Sequence, residues 1–397
     1  MRGRVAALGP ADVPLGEALG CILAEALIAH EPVPPFANTA MDGFALRSAD
    51  SAEPHAALRV VGTVAAGAVS ALEVGPGEAM RIMTGAPMPP GADAVAPVEI
   101  CSVDGDTVVV AEAVEAGRHV RPAGDDMVPG DVVVGAGALV TPGVIGVCAT
   151  LGRTRLRVVR RPVVGVMSTG DELVEGAAPL APGQIRDSNR VTLLAMLEES
   201  GFHTVDLGLV RDDEALIEAA LLGAVQRCDA LVTSGGVSMG DYDYVKAVLD
   251  RIGDMRWMQI AIRPAKPLAF GTVGRGDGTH VPVFGLPGNP VSSMVSYELF
   301  ARPALRRMAG HPDDRLDRMV LRVRAAGNLP RRPDGKTHLD RVVLTRDQAG
   351  ELEVRSAGGQ GSHHTSAMAN ADALAMIPDG DGVEAGEWVD VIALNPV

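Results

Sequence analysis

With 397 residues, the chain exceeds the length at which one hydrophobic core stops growing, so roughly two to four domains are expected. Apolar residues make up 47% and charged residues 21%, a globular composition that excludes a disordered chain. The formal charge of −15 argues against nucleic acid or an anionic membrane as partner, and no apolar run approaches a membrane span.

Taken in chain order, residues 1–30 read as helical around L-G-E-A-L-G-C-I-L-A-E-A-L, residues 15–27. E-P-V-P-P-F follows with three prolines in four positions and must be extended. To about residue 125 the text is strand-like (L-R-V-V-G-T-V, A-M-R-I-M-T, D-T-V-V-V), punctuated by G-P-G and P-P-G. A mixed pattern resumes to about 155, so this β-rich module reads as an insertion. The start, M-R-G-R-V-A-A-L-G-P, is too short for a signal peptide. The cysteines (Cys21, Cys101, Cys148, Cys228) are far apart with no C-x-x-C. Both point to a cytoplasmic protein without disulfides or a zinc ribbon.

From 160 to 310 strands and helices alternate, which predicts a doubly wound parallel α/β domain. The strands are R-P-V-V-G-V-M, H-T-V-D-L-G-L-V, A-L-V-T-S and V-P-V-F-G-L. The first helix, S-N-R-V-T-L-L-A-M-L-E-E-S-G, has Asp187 or Ser188 as N-cap and Gly201 past its end. A later helix starts at Pro290, with proline in its first turn. The tail, 312–397, returns to alternating strands and reads as a small β-barrel or sandwich.

In such a sheet, ligands bind beyond the carboxyl ends of the strands. Ser168-Thr169-Gly170-Asp171-Glu172, Arg211-Asp212-Asp213, Ser234-Gly235-Gly236-Val237-Ser238-Met239-Gly240-Asp241 and Leu286-Pro287-Gly288-Asn289-Pro290 follow the four strands, so all should open on one rim. Each loop taken singly also reads as an ordinary βα turn. The Gly-rich loops suit a phosphate, and Glu172, Asp212, Asp241 and Asp243 suit a hard divalent cation such as Mg²⁺. The acids also read as helix caps. Lys246, on the next helix, and Arg263 and Lys266, in a proline-bracketed turn, would meet an anion. No P-loop and no dinucleotide fingerprint is present.

The motifs A-M-D-G-F-A, R-I-M-T-G-A-P, S-T-G-D-E-L, I-x-D-S-N, S-G-G-V-S-M-G, K-P-L-A-F-G and G-L-P-G-N-P-V-S-S, in this order, resemble the molybdopterin molybdenumtransferases of MoeA type, similar to the E domain of gephyrin. The resemblance implies insertion of molybdate into adenylylated molybdopterin with release of AMP, in the presence of Mg²⁺. It implies four domains: an elongated dimerising one (1–30 and 123–155), an inserted β domain (31–122), an α/β domain (156–310) and a C-terminal β-barrel (311–397). It further implies a homodimer whose cleft is completed by the other subunit, and partners that hand molybdopterin over, molybdopterin adenylyltransferase among them. Carried over residue by residue, the family's functional positions are Asp42, Thr84, Asp126, Glu172, Asp212 and Asp243, with Pro287 and Pro290 shaping their loop and Arg341 and Ser366 matching loosely. Glu172, Asp212 and Asp243 would hold Mg²⁺; Arg263, Lys266 and Thr84 would receive molybdate. The family has lysine where this chain has Arg263 and Gln259, and glycine where it has Ala265, departures that bear on molybdate against tungstate. A molybdopterin adenylyltransferase and a non-catalytic scaffold are the alternatives.

Overall fold

The computed structural model describes residues 1–236 and 244–395. The chain divides into two compact units, one of Val13–Leu19 and Glu25–Leu156, the other of Met1–Asp12, Gly20–Ala24 and Arg157–Val397.

The first unit holds a six-stranded mixed sheet of β1 (Gly43–Leu46), β2 (Ala56–Val64), β3 (Glu78–Ile82), β4 (Ala94–Pro97), β5 (Cys101–Asp104) and β6 (Thr107–Val110), in the order β4-β1-β3-β2-β6-β5. β1 is buried along its whole length because alternate residues feed two cores: Phe44 and Leu46 face one, Ala45 the other. A helix, α1 (Pro142–Thr150), begins with Thr141 accepting the Val144 amide at 3.4 Å and proline in its first turn.

The second unit contains the α/β sheet: β7 (Val163–Thr169), α2 (Asn189–Glu199), β8 (His203–Val210), α3 (Glu214–Val225), β9 (Ala230–Ser234), α4 (Tyr244–Ile252), β10 (Gly253–Gln259), β11 (Pro267–Gly274), β12 (His280–Leu286), α5 (Pro290–Ser296) and α6 (Arg302–Met308), the last two joined by a π-helical turn, Tyr297–Ala301. The strand order is β8-β7-β9-β12-β11-β10. β8, β7, β9 and β12 are parallel; β11 is antiparallel to β12, and β10 is antiparallel to β11. Helices cover both faces. Val164, Val166, Ala230, Val232, Phe284 and Leu286 pack with Leu193, Leu197, Tyr297 and Leu305; Met167, Leu231 and Val283 pack with Ile217, Leu221, Val248 and Leu249. Burying each Val, Leu, Ile, Phe or Met among them is worth about 1.5–3 kcal/mol, and the two-residue alternation along β9 and β12 is what splits them between the faces.

The C-terminal strands β13 (Val320–Ala325), β14 (Thr337–Arg346), β15 (Leu352–Ser356), β16 (Ala373–Ile377) and β17 (Trp388–Ala393) close into a barrel, ordered β14-β15-β13-β17-β16 with β16 returning to β14.

Two expectations are corrected. Residues 15–27 do not form one helix: Leu15–Ala18 makes a single turn, Gly20 sits at φ +80, and Leu23 bridges Val158 as extended chain. Gly20 ends the turn because the left-handed region costs glycine nothing. The α/β sheet is mixed rather than wholly parallel, because β10 and β11 form an antiparallel hairpin on its edge, one strand on each side of the proline-bracketed turn. Among the described residues, no helix is long and apolar enough to cross a membrane.

Candidate functional site

Parallel registration puts the strand ends together. Ser168 pairs with Ser234, Ser234 with Leu286, and Thr169 with Val210. Beyond these ends lies a cleft of about 510 Å³. Among the described residues, its walls include Thr169, Gly170 and Glu172 from the β7 loop, Asp212 after β8, and Gly235 and Gly236 after β9. Pro287, Gly288 and Asn289 after β12 complete the predicted set. Four loops, dispersed over more than a hundred residues, thus meet at one rim.

Local chemistry explains why these residue types sit there. Gly170 has φ +149, and a Cβ on it would fall 2.6 Å from Glu172 Oε2, so only glycine lets that carboxylate fold back on its own loop. Gly235 (φ +93) gives its amide to Leu286 O at 3.1 Å, and a Cβ there would meet Thr169 O at 3.2 Å. The tips of β7, β9 and β12 are therefore in backbone contact.

Burial pushes the Asp212 carboxyl above its ordinary value; an amide of Asp171 opposes this, and the negative charges of Asp171 and Glu172 add to it. Acids that repel one another across a cleft are the donor chemistry of a hard cation that takes one or two carboxylates and completes its shell with water and ligand oxygens. Glu172 and Asp212 fit that description. Among the described residues no three His, Cys, Asp or Glu side chains close into a cage. Asp243, the third predicted ligand, lies outside the described residues, as do Ser238 and Asp241.

The other predicted residues stand as follows. Ser168 is fully buried and donates to Asp187 Oδ1 at 3.0 Å; Ser234 is buried and accepts from Asn189 Nδ2 at 2.8 Å. Both lie beneath the rim. Pro290 opens α5. Lys246 is half-buried, with its ammonium 5.4 Å from the centre of the Trp257 ring. Arg263 is exposed, 3.8 Å from Asp334, and Lys266 is exposed beside Pro267, which does line the cleft. Between them Ala265 is buried at φ +77, the conformation that glycine takes without strain. In the first unit, Asp42 and Thr84 form a cluster of their own: the Thr84 hydroxyl and amide both donate to Asp42 Oδ1, and they hold its carboxyl below the usual range. Arg341 is buried and binds the carbonyls of Leu339, Gly359 and Gly361.

Sequence reasoning missed Tyr244, Ile185 and Ser292, which also line the cleft, and Asn189, which ties its tips. Ile185 and Asn189 carried a signal in I-x-D-S-N, and Ser292 in G-L-P-G-N-P-V-S-S.

Three family models match in order: the MoeA N-terminal region (domain I and II) over residues 2–152, a probable molybdopterin binding domain over 165–307, and the MoeA C-terminal region (domain IV) over 322–394. A molybdopterin molybdenumtransferase of Haemophilus influenzae is 38% identical over 383 residues, covering 96% of this chain and 93% of its own. The chain belongs to the molybdopterin molybdenumtransferase family. Molybdopterin molybdenumtransferase 2 of Mycobacterium tuberculosis is 39% identical over 380 residues, 93% of this chain and 91% of its own. The crystal structure of the molybdopterin biosynthesis MoeA protein of Pyrococcus horikoshii superposes with a TM-score of 0.81 at 27% identity, covering 99% and 97% of the two chains. As a member of this family the chain is a transferase of molybdenum cofactor biosynthesis, and its multi-domain α/β-plus-β architecture is the family's.

Proposed function

We propose that the cleft beyond β7, β9 and β12 binds adenylylated molybdopterin and that the enzyme exchanges its AMP for molybdate, giving molybdenum cofactor. The convergence of Gly170, Gly235, Gly236 and Gly288 with Glu172 and Asp212 on one rim carries this reading. Glycine backbone admits pyrophosphate closely; the acids suit the cation that accompanies it.

Cleavage of a phosphoanhydride asks a protein mainly for positioning and charge stabilisation. Glu172 and Asp212, with Asp243, would hold Mg²⁺. When bound, Mg²⁺ supplies charge neutralisation at the phosphates. Thr169, Gly170, Gly235, Gly236, Gly288 and Asn289 cradle pterin and phosphate, with Ser168 and Ser234 supporting them from below and Pro287 and Pro290 fixing the loop. Lys246, Arg263 and Lys266 balance ligand charge, the last two toward molybdate. Asp42, oriented by Thr84, directs molybdate or a water.

We further read the chain as a cytoplasmic homodimer with domains 1–30 plus 123–155, 31–122, 156–310 and 311–397, receiving its pterin from partners such as molybdopterin adenylyltransferase. Support for a second copy comes from Leu19, Ile28, Phe36, Val128 and Val132, large apolar residues exposed within the dimerising segments or next to them.

The test is AMP release. Molybdate and Mg²⁺ added to the enzyme with adenylylated molybdopterin should release AMP stoichiometrically. ATP with unmodified molybdopterin should give no adenylylated product; its formation would favour the adenylyltransferase reading instead.

A further inference from the structure

Residues 187–190, D-S-N-R, lie at the start of α2, outside every loop so far given a role at the rim. Their side chains reach all four parallel strands or the loops that follow them. Asp187 accepts the Ser168 hydroxyl at 3.0 Å, at the end of β7. Arg190 binds Asp206 on β8 and is itself held by Asp187, through Nε at 3.0 Å. Asn189 donates from one amide nitrogen to Ser234 Oγ at 2.8 Å and to Gly288 O at 2.7 Å. A backbone carbonyl only accepts, so the contact with Gly288 fixes which way the amide faces. Asn189 Oδ1 is left buried without a partner. A buried unpaired acceptor is destabilising, so the rest of the side chain has to compensate.

We infer that Asn189 is a positioning residue: its amide clamps the β9 tip to the β12 loop and sets the spacing of Gly235–Gly236 against Gly288–Asn289. Asp187 and Arg190 anchor the clamp to β7 and β8. Asn189 touches no reacting atom; it acts through the two loops it joins. The inference rests on the proposed function only in saying what those loops hold. The clamp itself is a property of the free protein. Asparagine is required because only an amide nitrogen of this reach offers two donors with no charge. A carboxylate would face the Gly288 carbonyl with like partial charge.

The test uses Asn189→Asp and Asn189→Ala in the full-length enzyme. Aspartate is the same size and is tolerated in a helix first turn, so that variant keeps the fold. Amide hydrogen exchange is followed at Gly235, Gly236, Gly288 and Asn289, together with kcat and KM for AMP release. Both variants should exchange about tenfold faster at the Gly235 amide, which is bound to Leu286 O, with unchanged melting temperature. Their kcat should fall about tenfold, with KM within about threefold, because misplacement costs the reacting geometry more than binding. Unchanged exchange at the tips, or faster exchange with unchanged kcat, overturns the inference. Should the parent enzyme release no AMP, the proposed function falls, and the exchange result alone decides whether the clamp exists.

Discussion

Thr84 gives Asp42 two hydrogen bonds, from amide and hydroxyl, both 2.7 Å and both to Oδ1. The pair is separated by 42 positions in sequence, yet it forms one unit: a carboxylate kept ionised and kept in one orientation. Thr84→Val keeps the amide donor and loses the hydroxyl. It should lower kcat/KM for AMP release about tenfold, the scale of one hydrogen bond to a charged group, while Thr84→Ser restores it. Melting should not move, since the cluster is at the surface.

Glu172→Ala should reduce AMP release at least about a hundredfold, with stability unchanged or slightly raised. The sign follows from its neighbours: the Glu172 charge already helps to push Asp212 up, so its removal relieves repulsion. Chelation of Mg²⁺ should bring the parent enzyme to the same level, and adding Mg²⁺ back should restore the parent and not the variant. Urea melts and AMP release measured on the same preparations check both halves.

Ala265 occupies the left-handed region in a cluster with Val291, Val295 and Leu339. Ala265→Val adds β-branching and volume at a positive φ and should cost at least about 2 kcal/mol. Ala265→Gly should stay within about 1 kcal/mol of the parent. Relief of the backbone is offset by a lost buried methyl and a freer unfolded chain. Urea denaturation reads both.

Burial holds the His311 imidazole down at about 4 from its ordinary 6.5, and the charges of Arg306, Arg302 and Arg315 add to this. Its Nδ1 lies 3.1 Å from an Arg306 nitrogen that can only donate, so the ring must accept there and stay neutral. Between pH 6.5 and 4 the unfolded chain binds a proton that the folded one refuses. Stability therefore falls as pH drops through that window, by about 1 kcal/mol for a half-buried ring. His311→Gln should flatten that part of the stability–pH curve; an unchanged slope would contradict the assignment.

The α/β unit was legible because its signals are local and agree: Asp213 caps α3, Gly201 follows α2 at φ +83, and Pro290 opens α5. The rim followed from one topological rule, since parallel strands put their carboxyl ends together. Failures arose where tertiary pairing overrode pattern. Leu15–Leu27 carries helical spacing, but Gly20 and the Leu23–Val158 bridge win. G-D-M-R-W-M-Q offers no clean alternation, and it becomes β10 because β11 supplies its ladder. The Trp257 ring that lies 5.4 Å from the Lys246 ammonium is likewise brought there by that hairpin. Asn189 stood in I-x-D-S-N without a role, because a sequence does not show which distant loops a side chain at a helix start reaches. Its partners lie 45 and 99 positions away.

In the proposed reaction the tips of β7, β9 and β12 seat the nucleotide phosphate. A crystal structure of the enzyme with AMP and Mg²⁺ tests it directly. The phosphate should lie against Gly235–Gly236 and Gly288, with the metal on Glu172 and Asp212; AMP bound away from this rim, or no AMP bound at saturating concentration, would contradict it.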